Sequence, residues 1–153
     1  MKKEEKMDTR MKFALQAVAA VVLAAAVLGV GYYLLWRAER VDPQEEVRNN
    51  LNAIFISEIS YYGEYSTYSG SFSQIGWWPS SASEDPYAYF APEENIQPAF
   101  GPTLALPSGL KPGKSSDGFT IYAVGNLDSD PDLDVWSVND MKDVNHWAND
   151  LEP

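Results

Sequence analysis

The chain has 153 residues, with 22 acidic side chains against 11 basic ones, a formal net charge of −11 and no cysteine. That length holds one modest domain with an appendage. The missing thiols exclude disulfides, thiolate zinc sites and cysteine nucleophiles, and the acidity argues against nucleic acid, whose phosphates call for clustered Lys and Arg.

Charge divides the chain in two. Residues 1–40 hold seven basic and four acidic side chains, a net of +3, whereas residues 41–153 hold four basic and 18 acidic ones, a net of −14. Residues 1–12 read as a basic cytoplasmic tail. Between Lys12 and Arg37 run 24 residues without a formal charge, Phe13 to Trp36. As a helix at about 1.5 Å per residue they reach roughly 36 Å, enough to cross a bilayer core with some tilt. Gln16 is the only strongly polar side chain in this run, and Tyr32, Tyr33 and Trp36 stand at its far end, where amphipathic rings favour the headgroup region. The reading is a transmembrane helix over 13–36. A cleaved signal peptide is the competing reading, since Ala24-Ala25-Ala26 suits a cleavage site, but the apolar run continues well past it. Five basic residues precede the span, so the positive-inside rule puts the N-terminus in the cytoplasm and residues 41–153 outside. Small residues four apart (Ala20 and Ala24, Ala25 and Gly29) suit close approach of a second copy of the helix.

Asp42-Pro43-Gln44-Glu45 reads as a helix start: Asp42 caps, Pro43 takes the first turn, and Glu45 closes a capping box. Val47, Leu51, Ile54, Phe55, Ile59 and Tyr62 then recur at spacings of three and four, predicting one apolar stripe on a helix over 42–65. Residues 65–83, rich in Ser, Gly and aromatics, read as a compact connection, and Tyr87-Ala88-Tyr89-Phe90 as a strand. Five prolines and three glycines lie within 91–118, which predicts a long surface excursion with an edge strand around Thr103 to Leu106. Phe119 to Val124 and Leu133 to Val138 have strand composition and a turn-like linker, predicting a hairpin over 119–138. Met141 to Leu151 reads as a short terminal helix. The fold class is α+β: a membrane helix, then an amphipathic helix packed on a small antiparallel sheet within 37–153.

These residues resemble type IV pilins and pseudopilins, in particular the major-pilin type of deltaproteobacteria. The resemblance rests on Val47 to Phe55, Tyr61 to Tyr68, Phe72 to Trp77, Tyr87 to Phe90, Phe119 to Asp128 and Leu133 to Ser137, in the family's order behind a membrane helix. It implies a structural or assembly protein of a pilus, secretion or envelope complex in a bacterial inner membrane. Its implied partners are the lipid bilayer and pilin-like or envelope-complex proteins, and the domain would be periplasmic or surface-exposed. The chain departs from the family at Lys12-Phe13, where Gly-Phe is expected, and at Ala17, where Glu is expected; the late Pro of the span is also absent. The expected anchor is therefore uncleaved.

Asp128, Asp130, Asp132 and Asp134 alternate, and such carboxylates repel unless they are solvated or bound to a cation. Calcium takes six to eight oxygens at about 2.3–2.6 Å, and the spacing is similar to the first half of an EF-hand loop, without its Gly and closing Glu. The resemblance implies calcium as well, since some pseudopilins carry a calcium-binding loop near the C-terminus. A solvated acidic turn is the alternative. Ten of the 20 aromatic residues fall within 61–90; they read as core, or as a glycan-stacking surface in a membrane-tethered binding module that is no part of a fibre. Trp77 and Trp78, adjacent rings that cannot both point inward in extended chain, are the candidate contact surface. His146, the only histidine, reads as a surface residue, and no enzyme signature is present.

Overall fold

The structure, a computed structural model, describes residues 2–38, 42–79, 85–128 and 130–151. The chain forms two compact units, 1–41 and 42–153.

The first unit is one helix, α1 (Lys2–Ala38), so the basic segment is helical in continuity with the apolar run. Met11–Tyr33 is long and apolar enough to cross a membrane, and none of it is buried. Leu15, Leu23 and Leu28, for example, are each at least 66% exposed. The same features would serve a signal sequence. The Trp36 side chain, read as interfacial, lies outside the described side chains, and Glu39 to Val41 lie outside the described residues.

The second unit begins with α2 (Pro43–Tyr65). Asp42 caps it, its Oδ1 accepting the Gln44 N–H at 3.0 Å, with Pro43 in the first turn and Glu45 and Glu46 favouring the positive end of the helix dipole. Ser66, left-handed at φ 55°, ends the helix by donating its N–H to the Tyr62 carbonyl. Val47, Leu51 and Ile54 are fully buried, but the stripe then turns to Glu58 and leaves Ile59 and Tyr62 about 40% exposed. The predicted second half of the stripe is thus corrected: a carboxylate occupies the inward position.

Six antiparallel strands follow: β1 (Tyr87–Phe90), β2 (Asn95–Ile96), β3 (Gly113–Lys114), β4 (Phe119–Gly125), β5 (Asp134–Asn139) and β6 (Val144–Ala148). Their order is β2-β1-β4-β5-β6, with β3 beside β4 past the end of β1. The predicted hairpin is β4–β5, in register from Thr120↔Asn139 to Gly125↔Asp134. At Gly125 a Cβ would lie 2.7 Å from the Tyr87 ring, so only glycine allows β1 and β4 to close there.

The terminal segment is a strand, not the expected helix. Asn139 Oδ1 accepts the N–H groups of Met141 and Asp143, and left-handed Lys142 (φ 63°) reverses the chain. Residues 144–148 then pair with β5, and the Trp147 indole N–H bonds Ser137 Oγ at 2.8 Å. These tertiary partners outweigh the segment's local preference. The edge strand expected at Thr103 to Leu106 does not form either. The Gln97 side-chain amide binds both the N–H and the C=O of Leu104, doing the work of a neighbouring strand.

Both faces of the sheet are covered. Val47, Leu51, Ile54, Phe72 and Trp77 pack on Tyr89, Ile121, Trp136 and Val138. On the other face Leu104, Leu106 and Leu110 cover Phe90, Tyr122, Val124 and Val135, so the Pro/Gly-rich excursion is a lid over the sheet. The end of the predicted connection 65–83, residues 80–83, lies outside the described residues.

Candidate functional site

The β4–β5 loop is folded by its own acids. Asp128 Oδ1 accepts the Asp130 N–H at 2.8 Å, and Asp130 Oδ1 accepts the Asp132 N–H at 2.9 Å. Asn126 Nδ2 donates to the Asp130 carbonyl at 3.0 Å. These successive Asx turns curl the loop toward the residues after β6.

Asp128, Asp130 and Asp150 each bring a carboxylate oxygen within 4.8 Å of the others. Asp150 is only 4% exposed; its Oδ2 accepts the Leu127 N–H, and its buried Oδ1 has no partner among the described residues. An unpaired carboxylate oxygen buried beside two further carboxylates is costly unless a cation or water completes it. The oxygen-only donor set suits a hard divalent cation such as calcium.

The structure corrects the sequence-based set at two positions. Asp132 is not one of the converging carboxylates. Asp134 lies wholly inside the domain, where five donors saturate it. Its Oδ1 accepts from Gln44 Nε2 (3.1 Å), His146 Nε2 (2.7 Å) and the Asp150 N–H (3.4 Å). Its Oδ2 accepts from the Tyr87 hydroxyl and Trp136 Nε1, each at 2.5 Å. Asp134 therefore ties α2, β1, β5, β6 and the C-terminal turn together. Alternation along a strand decides this: Leu133 and Asp134 face opposite sides once β5 begins. Asp150 was out of reach of sequence spacing, since it joins the loop only because β6 runs back along β5.

His146 has partners that the sequence did not reveal. Besides bonding Asp134 it stacks on Trp136, with ring centroids 3.8 Å apart and planes 11° apart, and the Arg48 guanidinium lies 5.2 Å from the Trp136 ring centre. It lies at the surface, as expected, but is held there by Asp134 and Trp136.

The tryptophan pair divides as expected from their adjacency. Trp77 is 7% exposed and packs on Phe72 and Tyr89, with centroids 5.2 and 5.0 Å away. Trp78 is 60% exposed and walls a pocket of about 280 Å³ with Pro79, Tyr87, Ile96 and Pro98. Asp85 closes the pocket's inner side, but its carboxylate already accepts from Asn50, the Tyr89 hydroxyl and the Tyr87 N–H. Burial raises the Asp85 pKa, and it raises those of Tyr87 and Tyr89 too, which therefore act as neutral donors.

Comparison with known protein families, curated proteins and solved structures finds no match to this chain.

Proposed function

We propose that this protein is a single-pass, membrane-anchored structural or assembly subunit of pilin-like design, working in a bacterial envelope complex. The observation that carries the reading is the outer side of α2. Directly after the apolar helix, α2 packs one face on the sheet and leaves Ile56, Ile59 and Tyr65 at 62%, 41% and 60% exposure. Ile56 and Tyr65, with Ser57, Ser60 and Glu64 between them and Gln74 and Ile75 across the way, line a groove of about 350 Å³ that mixes apolar and polar side chains. Exposed Ile and Tyr side chains beside a groove with hydrogen-bonding walls suit another helical subunit held in the same membrane. On this reading the anchor stays in the inner membrane with the basic end in the cytoplasm, following the excess of Lys and Arg before the span.

The natural absence of cysteine makes the test clean. The chain with Ile56→Cys, in intact bacterial membranes and treated with a bis-maleimide, is expected to give discrete cross-linked species. Ser108→Cys, on the cover of the opposite sheet face, is the control and is expected to give none. Equal yields from the two positions, or none from either, would contradict assembly through α2.

A second reading, a membrane-tethered calcium-binding module outside any fibre, is favoured by one observation: the unpartnered Asp150 Oδ1 beside Asp128 and Asp130. Calcium there would pin the β4–β5 loop to the end of β6. Cross-linking separates the two readings: discrete cross-linked species through α2 favour the first, and metal binding without them favours the second.

A further inference from the structure

One loop of the domain is held by two carboxylates with opposite acid–base character. After α2 the chain runs through Tyr68 and Ser69 to Trp77, and Phe72 and Trp77 enter the core. Glu94, in the turn between β1 and β2, holds the loop from outside. Its Oε2 accepts from Ser71 Oγ (2.5 Å), the Ser73 N–H (2.9 Å) and Ser73 Oγ (3.0 Å). These donors hold the Glu94 carboxyl below its ordinary range, so this grip is ionic down to acid pH.

Glu58 holds the same loop from inside. It is fully buried on α2, and its Oε2 accepts the Ser69 N–H at 2.8 Å. Its Oε1 is buried with no partner among the described residues. The opposing charge that acts on Glu58 is Lys114 on β3, but that ammonium is paired with Glu93 at 2.7 Å. The other titratable groups here are neutral or acidic: Tyr68 in the loop, Tyr62 on α2, and Asp140 after β5, which acts on Tyr68. None of these offers the orphan oxygen a positive charge. A neutral carboxyl leaves only an uncharged polar atom unpaired there, whereas a carboxylate leaves a buried, under-solvated charge, which costs far more.

We infer that Glu58 is a pH-sensitive clasp, which holds the 66–77 loop onto α2 when protonated and loosens it when ionised. Burial supports this by pushing the Glu58 pKa from 4.5 to about 7, against the smaller opposing effects of the Ser69 N–H and Lys114. Because the folded value is the raised one, the stabilisation is whole below about 4.5 and is lost as pH climbs through about 7. A domain outside the cytoplasmic membrane meets ambient pH, so the loop that seats Trp77 and presents Trp78 would tighten in acid and relax in alkali. This inference stands apart from the assembly reading, since it needs no partner.

The test uses the full chain in detergent micelles and follows amide exchange at Ser69 against Ala123, which is paired on both sides within the sheet. From about pH 5 to about pH 8, after correction for intrinsic rates, protection at Ser69 is expected to fall about tenfold or more, the equivalent of one pKa unit of linkage. Glu58→Gln keeps the acceptor and cannot ionise, so its protection should stay level. An equal fall in both proteins, or no fall in the natural chain, overturns the clasp. A carboxyl ¹³C titration of Glu58 in the natural chain needs no variant: a midpoint near 7 supports the clasp, and one near 4.5 overturns it.

Discussion

The two units of this chain follow opposite rules. In α1 every large apolar side chain from Met11 to Val30 is exposed, and formal charge is absent from Phe13 to Trp36. In the unit after it an apolar core is buried, and carboxylates are buried with it: Glu58, Asp85, Asp134 and Asp150 are each no more than 4% exposed. An apolar surface with no polar relief suits hydrocarbon. Buried acids that are almost all hydrogen-bonded suit a water-soluble fold that uses polar networks to fix its register. The difference teaches that a mean charge or hydropathy over all 153 residues describes neither unit.

Within the acidic unit a finer contrast separates structure from function. Asp134 accepts from five donors, whereas Asp150, 16 residues on, accepts from one and leaves an oxygen bare. A saturated carboxylate has no capacity left for a ligand. A half-satisfied one does.

The sharpest way to break the contrast is Asp134→Asn. The amide nitrogen cannot accept from Tyr87 or Trp136, so at least one buried donor loses its partner. Disrupting a buried charged network typically costs about 3–5 kcal/mol. At roughly 4–8 °C per kcal/mol for a domain of this size, thermal melting should drop by more than about 10 °C. Membrane sedimentation of the chain should be unchanged, because α1 takes no part in the network. A variant that melts within about 2 °C of the natural chain would show that the five bonds are not what holds the domain.

Calcium gives the next largest effect. If Asp128, Asp130 and Asp150 bind it, calcium at about 100 times its dissociation constant stabilises the domain by about 2.7 kcal/mol relative to chelator. Asp150→Asn should abolish that gain, while Asp132→Asn, outside the converging set, should retain it. Identical melting with calcium and with chelator in the natural chain would remove the metal reading and leave a solvated acidic turn.

Much of the fold was legible because its signals are local. The apolar run, the Asp42-Pro43 helix start and the β-branched strands 119–124 and 133–138 each rest on contiguous residues. What escaped depends on distant partners. Residues 144–148 look helical until Ser137, Trp136 and Asp134 supply bonds across the sheet. Leu104 is no strand because one side chain, Gln97, satisfies both of its backbone groups. Glu58 interrupts an apolar stripe that continues on paper through Ile59 and Tyr62, because the loop after α2 comes back to offer the Ser69 N–H. Of the four aspartates grouped by spacing, Asp128 and Asp130 converge with Asp150, which spacing could not reach, whereas Asp134 belongs to the strand read at 133–138 and turns inward, as it does if Leu133 and Val135 continue that strand.

The anchored reading rests on α1 remaining attached to the domain it precedes. Mass spectrometry of the protein extracted from bacterial membranes tests this most directly. A chain that retains the residues ahead of Phe13 and stays with the membrane after carbonate washing is the expected result. A shorter chain that starts after Ala26 and is released in soluble form would contradict it, and so would one that starts at Phe13 with a modified amine.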